Sequence, residues 1–150
     1  MVDRVVFEAP AYYHGENQRF SFSGEDTTVL AFFPGAFTGV CTEEMTKFRD
    51  HMSDFDEMNV EVIGISVDTP FALEEFAEQN NLDFTLVSDT GKEIADQYGV
   101  KTEMPGLGYE VATRATFIVK EGEVVYSEIL DDPSNLPDFE KLKAELKTLN

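Results

Sequence analysis

Cysteine is nearly absent from the sequence, since Cys41 is the only one among 150 residues. A single cysteine excludes a disulfide within the chain, and with it a secreted scaffold that disulfides hold together. Long apolar runs are absent as well, because the longest one, residues 29–33, is far too short to cross a bilayer. Residues 1–4 lead into mixed sequence instead of the apolar segment of a signal peptide. We therefore expect a cytoplasmic protein.

Basic residues are also few: 11 Lys and Arg stand against 30 Asp and Glu, and the net charge is -19. Such a chain repels nucleic acid and anionic lipid, so neither a nucleic acid nor a membrane is expected as a partner. It also repels itself, but at molar salt the Debye length falls to about 3 Å and screens that repulsion. The acidic residues are spread along the chain, which favours a halophilic protein over an ordinary acidic one.

Short apolar runs rich in β-branched and aromatic residues predict strands. These runs lie at residues 28–33, 60–67, 83–88, 115–119 and 123–129. The last two are joined by a hairpin turn that ends in Gly122. Between the strands, apolar residues at helical spacing predict helices. One is a single amphipathic helix with Met45, Phe48, Met52 and Phe55 on its apolar side.

Thr69 and Pro70 open another helix as N-cap and first helical residue, with Phe71, Leu73, Phe76 and Ala77 as its apolar content. A helical turn or two follows from Lys92 to Tyr98, and a last helix contains Phe139, Leu142, Leu146 and Leu149. We therefore predict one domain over residues 1–150, of class α/β, with a mixed central β-sheet flanked by helices.

The segment from Pro34 to Cys41 lies between a buried strand and an amphipathic helix, where α/β proteins usually bind ligands. Thr38 is a suitable N-cap, and its hydroxyl would accept from the backbone N–H of Cys41. Cys41 would then be an exposed thiolate in the first helical turn, where the helix dipole favours an anion. From position alone, an activated nucleophile and a small buried hydrophobe remain equally good interpretations of Cys41.

Residues 32–50, FFPGAFTGVCTEEMTKFRD, resemble the active-site stretch of the peroxiredoxins. The hallmark of that family is proline, three residues, threonine, two residues and cysteine, which Pro34, Thr38 and Cys41 match. Residues 65–89 are similar to the family's second strand, helix and third strand, and Arg114 also falls at a matching position. The resemblance covers most of the chain, from about residue 9 to the final helix.

This resemblance implies a thioredoxin-like fold and a thiol-dependent peroxidase that reduces hydrogen peroxide or alkyl hydroperoxides. Cys41 would attack the O–O bond and become a sulfenic acid. Thr38 would hydrogen-bond the thiolate and the peroxide, Pro34 would shield the thiolate from water, and Arg114 would hold it charged. These roles agree with the rule that preorganised donors around developing charge are the largest catalytic term.

Some relatives carry a second cysteine five residues after the first, where this chain has Thr46. The chain therefore resembles a one-cysteine peroxiredoxin, whose sulfenic acid an external thiol must reduce. That reductant would be a small thiol or a thioredoxin-like or glutaredoxin-like protein, and a homodimer is expected by analogy. Glu44 either orients a proton network in the site or serves the helix dipole as a first-turn acid. No cofactor is expected, and His14 and His51 with one cysteine make no metal site.

Two other functions remain open from the sequence. A cysteine hydrolase would use Cys41 as acyl acceptor with His14 or His51 as base, although His51 is more simply a solvent-facing residue of the same helix. A redox sensor or holdase on the same fold would form the sulfenic acid but signal to a partner. Residues 104–109, MPGLGY, would line the site or a subunit contact.

Overall fold

A computed structural model describes residues 4–104, 106–132 and 134–149. Its elements, in chain order, are β1 (Phe7–Tyr13), β2 (Glu16–Phe22), β3 (Thr28–Phe32), α1 (Gly39–Asp50), α2 (Met52–Glu57), β4 (Glu61–Ser66), α3 (Pro70–Asn80), β5 (Thr85–Ser88), α4 (Glu93–Gln97), β6 (Lys101–Met104), β7 (Tyr109–Ala112), β8 (Ala115–Lys120), β9 (Glu123–Ile129) and α5 (Phe139–Leu149).

The central sheet is mixed, with the strand order β2-β1-β5-β4-β3-β8-β9. Strands β3, β4 and β5 run parallel to one another, whereas β8 pairs antiparallel with β3 and β1 pairs antiparallel with β5. Every residue of β3 is buried, as expected of a strand covered on both faces. The loops that follow β3, β4 and β5 therefore leave the same edge of the sheet. The predicted α/β class is confirmed.

Each face of the sheet has its own apolar core. Side chains of α1, α2, α3 and α5 fill the first core, which also contains Cys41. The second core lies on the opposite face, against α4 and the segment around Tyr98 and Val100. Alternate residues of β3 enter the two cores: Val29 and Ala31 the first, Leu30 and Phe32 the second.

Two hairpins were not predicted, β1–β2 and β6–β7. The first contains Pro10, which argues against a strand, and β2 is mostly exposed and polar. Pro10 is tolerated because β1 pairs with β5 only through Ala11 and Tyr12, so its missing N–H is not needed there. His14 and Gly15 turn the hairpin with φ values of 52° and 81°, the positive pair that a tight hairpin requires.

The predicted long amphipathic helix is wrong in one respect, because it is two helices that meet at His51. The N–H of His51 is shared between the carbonyls of Lys47 and Phe48, which is common where a helix ends. The His51 ring lies parallel to that of Phe139, 5.4 Å away between centroids, and its imidazole pairs with Asp54 at 3.7 Å. His51 is therefore half-buried at a helix junction instead of facing solvent on a continuous helix.

The helix predicted after Thr69 is confirmed as α3. Thr69 accepts a hydrogen bond from the N–H of Ala72 at 3.2 Å, and Pro70 is the first helical residue. Phe71 was expected to add to the apolar face, but it is 76% exposed, whereas Leu73 and Phe76 are buried. In the chain as described, no helix is long and apolar enough to cross a membrane.

Candidate active site

The loop between β3 and α1 is strained and tightly held. Phe37 has φ +68°, a left-handed conformation that costs a residue with a side chain on the order of 1 kcal/mol. Its ring is half-exposed and packs edge-on against Phe76 of α3, with 5.4 Å between centroids. Hydrogen bonds made by Ala36 and Thr38, the residues on either side of Phe37, hold the loop in place. Non-glycine strain of this kind persists only where surrounding contacts impose it.

Cys41 is the third residue of α1, as the sequence indicated, but it is not exposed. The residue is 1% accessible and belongs to the first core, beside residues such as Phe33 and Met45. The helix places the sulfur inward because Cys41, Met45 and Phe48 share one face. The prediction of an exposed thiolate is therefore wrong: the sulfur lies at the floor of the site, where few water molecules can solvate it.

Thr38 is the N-cap of α1, but its side chain does not cap the helix as predicted. The hydroxyl donates to the carbonyl of Gly35 at 2.9 Å and so closes the loop upon itself. It makes no cap bond to the N–H of Cys41. The Thr38 carbonyl instead accepts from both the N–H and the hydroxyl of Thr42, at 2.9 and 2.7 Å. Thr38 thus joins the strained loop to the helix that carries the cysteine.

Arg114 directly precedes β8 at the end of the sheet where β3 ends, and its side chain reaches Cys41. The side chain is 2% exposed, and its Nη1 donates to Cys41 Sγ at 3.4 Å. The same nitrogen makes an ion pair with Glu44 Oε1. Burial lowers the pKa of the guanidinium, but the negative charges of Glu44 and Cys41 outweigh this, so the pKa of Arg114 is raised. Arg114 therefore stays a cation in the core.

Glu44 is fully buried one helical turn after Cys41. It is the sixth residue of α1, beyond the first turn, so the helix-dipole explanation of this residue is wrong. Its Oε1 pairs with Arg114, whereas Oε2 has no hydrogen-bond partner in the described part of the chain. Burial raises the pKa of Glu44 to about 7, although the Arg114 charge opposes that shift.

Pro34 follows β3 at the start of the loop and is half-buried. It borders a cavity of about 130 Å³ whose other walls are the β6–β7 hairpin, the segment leading to β8 and the chain after β9, namely Thr102, Glu103, Met104, Val111, Ala112, Thr113 and Asp131. The 104–109 segment therefore approaches the loop through Met104. Pro105 of that segment lies outside the described residues, and Leu107 is 74% exposed.

The two histidines lie elsewhere. His14 is in the turn between β1 and β2, with its ring against Tyr13 at 4.1 Å, and His51 is at the α1–α2 junction. Neither imidazole is hydrogen-bonded to Cys41 in the described ranges. Over residues 4–104, 106–132 and 134–149, no group of three or more His, Cys, Asp or Glu side chains is arranged to hold a metal ion.

Asp68, which follows β4, is a site residue that the sequence reasoning missed. Its Oδ2 accepts from the N–H of Ala36 at 2.7 Å and from the hydroxyl of Ser66 at 2.6 Å. The Ser88 hydroxyl, at the end of β5, donates to the Asp68 carbonyl at 2.6 Å. The available signal was positional: polar residues after neighbouring parallel strands meet at one sheet edge.

In this α/β sheet a buried cysteine lies near a helix start, and its sulfur contacts a buried arginine. The AhpC/TSA family model matches residues 5–127. Putative peroxiredoxin bcp of Haemophilus influenzae is 33% identical over 125 residues, which cover 79% of this chain and 80% of that protein. Alkyl hydroperoxide reductase C of Buchnera aphidicola is 34% identical over 118 residues, covering 74% of this chain and 57% of the relative.

Solved structures agree with the sequence matches. AhpC of Enterococcus faecalis superposes with a TM-score of 0.85 and 26% identity over 99% of this chain and 91% of that one. BcpB of Mycobacterium tuberculosis has a TM-score of 0.81 and 29% identity, over 98% and 95%. This chain therefore belongs to the AhpC/TSA family of peroxiredoxins, and its fold is thioredoxin-like. It spans only about half of some longer relatives, such as 49% of the chloroplastic 2-Cys peroxiredoxin BAS1 of Spinacia oleracea.

Proposed function

We propose that this protein is a thiol-dependent peroxidase in which Cys41 reduces hydrogen peroxide or alkyl hydroperoxides. The observation that carries the proposal is the 3.4 Å contact between Arg114 Nη1 and Cys41 Sγ inside the core. The guanidinium places a fixed positive charge beside the sulfur, which carries the negative charge when it attacks the peroxide. The thiolate is the reactive form of cysteine.

The reaction begins when the Cys41 sulfur attacks one oxygen of the hydroperoxide. An S–O bond forms and the O–O bond breaks, so the sulfur is oxidised to a sulfenic acid. The other oxygen leaves as hydroxide or alkoxide and takes up a proton to become water or an alcohol. Charge moves from sulfur to the leaving oxygen during this step, and the fixed Arg114 guanidinium lies where it stabilises that movement.

Pro34 and Thr38 act around the same atom in this proposal. Pro34 offers no N–H at the mouth of the site and limits the access of water to the sulfur. The Thr38 hydroxyl has a single proton, which it donates to Gly35 in the resting protein. To hydrogen-bond a peroxide oxygen as donor, Thr38 must turn away from Gly35 when substrate binds.

Glu44 supports Arg114 in this scheme. Its carboxyl shares Nη1 with the Cys41 sulfur, so it orients the guanidinium toward the thiolate. Glu44 is thus a positioning residue. Burial raises its pKa to about 7, which supports a further role in holding a proton near the site.

Regeneration of Cys41 requires a thiol from another molecule, because the chain has one cysteine. One external thiol attacks the sulfenic sulfur and releases water, and a second thiol breaks the resulting mixed disulfide. A small thiol and a thioredoxin-like or glutaredoxin-like protein are both candidates for that donor. We also propose a homodimer and a cytoplasmic location, where such reductants are abundant.

The test is peroxide consumption with an added thiol, compared between the wild type, Cys41→Ser and Thr46→Ser. Thr46 lies on the same helix as Cys41, and its hydroxyl donates only to the Glu43 carbonyl at 3.1 Å, so this control should keep full activity. Cys41→Ser should consume no peroxide, and dimedone should label Cys41 in the oxidised wild type. Full activity in Cys41→Ser would refute the proposal. A wild type that consumes one equivalent and is restored by no thiol would favour the redox sensor.

A further inference from the structure

We infer that Asp68 is a positioning residue for the peroxide reaction, which holds the 34–38 loop in its strained, reactive shape through the Ala36 N–H. This inference rests on the proposed function of Cys41. Asp68 follows β4, whereas the cysteine lies on α1, and Asp68 is 32 residues from Ala36 in the chain. The 2.7 Å hydrogen bond therefore joins two elements that no local sequence pattern connects.

The loop needs such an anchor because Phe37 adopts a left-handed conformation. Ala36, immediately before Phe37, is tied to Asp68, and Thr38, immediately after it, is tied to Gly35. Without the Asp68 bond, the backbone at residues 36 and 37 is free to relax toward an ordinary conformation. Thr38 would move with it, since the two residues are consecutive, and Thr38 is the cap of α1.

Asp68 is itself held in place, which is what a positioning role requires. The hydroxyl of Ser66 donates to the same carboxylate oxygen at 2.6 Å, and the Ser88 hydroxyl binds the Asp68 carbonyl. Ser66 is fully buried and Ser88 is 2% exposed. The carboxylate is thus fixed relative to the ends of β4 and β5. Through the Ala36 hydrogen bond it holds the reactive loop against this rigid edge of the sheet.

Two substitutions of Asp68 distinguish a role of its oxygen position from a role of its charge, because the two roles predict opposite results. Asp68→Asn keeps an acceptor oxygen at the same distance along the side chain but loses the charge. Asp68→Glu keeps the charge but moves the oxygens outward by one methylene group. If the Ala36 bond is what matters, Asp68→Asn should keep the rate constant for peroxide within about threefold of wild type, whereas Asp68→Glu and Asp68→Ala should lower it at least tenfold.

Alkylation of Cys41 by iodoacetamide supplies the second readout, because it needs a thiolate but no geometry for O–O cleavage. All three variants should be alkylated within about threefold of the wild-type rate. Asp89→Ala is the matched control: Asp89 also accepts two backbone N–H bonds, from Ile94 and Ala95, but these lie on α4. It should lower the melting temperature and leave both rates unchanged.

The inference is overturned if Asp68→Glu reacts with peroxide as fast as Asp68→Asn. It is equally overturned if peroxide and alkylation rates fall in parallel, since Asp68 would then serve only general stability. The asparagine and glutamate variants decide the matter even where the alanine variant does not fold. A wild type that does not reduce peroxide would instead refute the proposed function, before any Asp68 variant is compared.

Discussion

Replacing Glu44 by glutamine is expected to remove a pH-dependent loss of stability. The folded protein holds this carboxyl at a pKa of about 7, against an ordinary value of 4.5, because burial disfavours the charged form. Between those two values the unfolded chain has released a proton that the folded protein still binds. Stability therefore falls as the pH rises from about 4.5 to about 7 and changes no further above that.

The magnitude follows from the difference between the two pKa values, 4.5 and about 7. Each pH unit of difference corresponds to about 1.4 kcal/mol, so the full effect is about 3 kcal/mol. Glutamine has the same shape and keeps an oxygen for Arg114, but it does not titrate. Relative to Glu44→Gln, the wild type should consequently lose about 3 kcal/mol of unfolding free energy between pH 4.5 and pH 7.

Urea unfolding of both proteins at several pH values and constant salt measures this difference. The comparison cancels the other carboxylates, which titrate in both proteins alike. Glu43→Gln is the control, because Glu43 is the exposed neighbour of Glu44 on the same helix, and its difference from wild type should be small at every pH. A Glu44→Gln difference that stays flat from pH 4.5 to pH 8 would refute the reasoning that burial dominates this carboxyl.

Three further outcomes are expected. Arg114→Lys keeps the charge, but the rate constant for peroxide should fall about a hundredfold in stopped-flow measurements, because an ammonium does not reproduce the planar fork of the guanidinium. A decrease of less than threefold in that rate constant would contradict the role of Arg114. The net charge of -19 predicts that the melting temperature rises steadily from low to molar NaCl, by calorimetry, and a flat response would remove the basis for salt adaptation. Gly64→Ala should lower the unfolding free energy by about 1–3 kcal/mol in urea titrations, because the added Cβ would lie 2.8 Å from Leu86 Cδ2 and 3.3 Å from Met45 Sδ. An unchanged urea midpoint would mean that the core around Gly64 is looser than these contacts indicate.

Much of the fold was predictable because its signals are local. The Thr69 cap and Pro70 start of α3 depend on residues within one helical turn. The β8–β9 hairpin has its turn at Glu121 and Gly122, both with positive φ. The resemblance to peroxiredoxins also predicted that Pro34, Thr38, Cys41 and Arg114 share one site, and the structure places Arg114 against the cysteine.

The parts that were missed depend on partners distant in the chain. The β1–β2 hairpin looked unfavourable because Pro10 breaks most strands, and only the short pairing with β5 makes it acceptable. The helix after Cys41 looked continuous because its apolar spacing is regular. Its break at His51, where the imidazole stacks on Phe139 of α5, involves a residue 88 positions further along the chain.

The sequence by itself made Cys41 a candidate nucleophile, and the match of Pro34, Thr38 and Cys41 to the peroxiredoxin pattern favoured that interpretation over a small buried hydrophobe. The tertiary structure decided what surrounds that atom. It buries Cys41 instead of exposing it, draws Arg114 and Glu44 together across 70 residues, and ties Ala36 to Asp68 across 32. Capping and turn preferences act over a few residues, whereas burial and charge pairing depend on which strands become neighbours in the sheet.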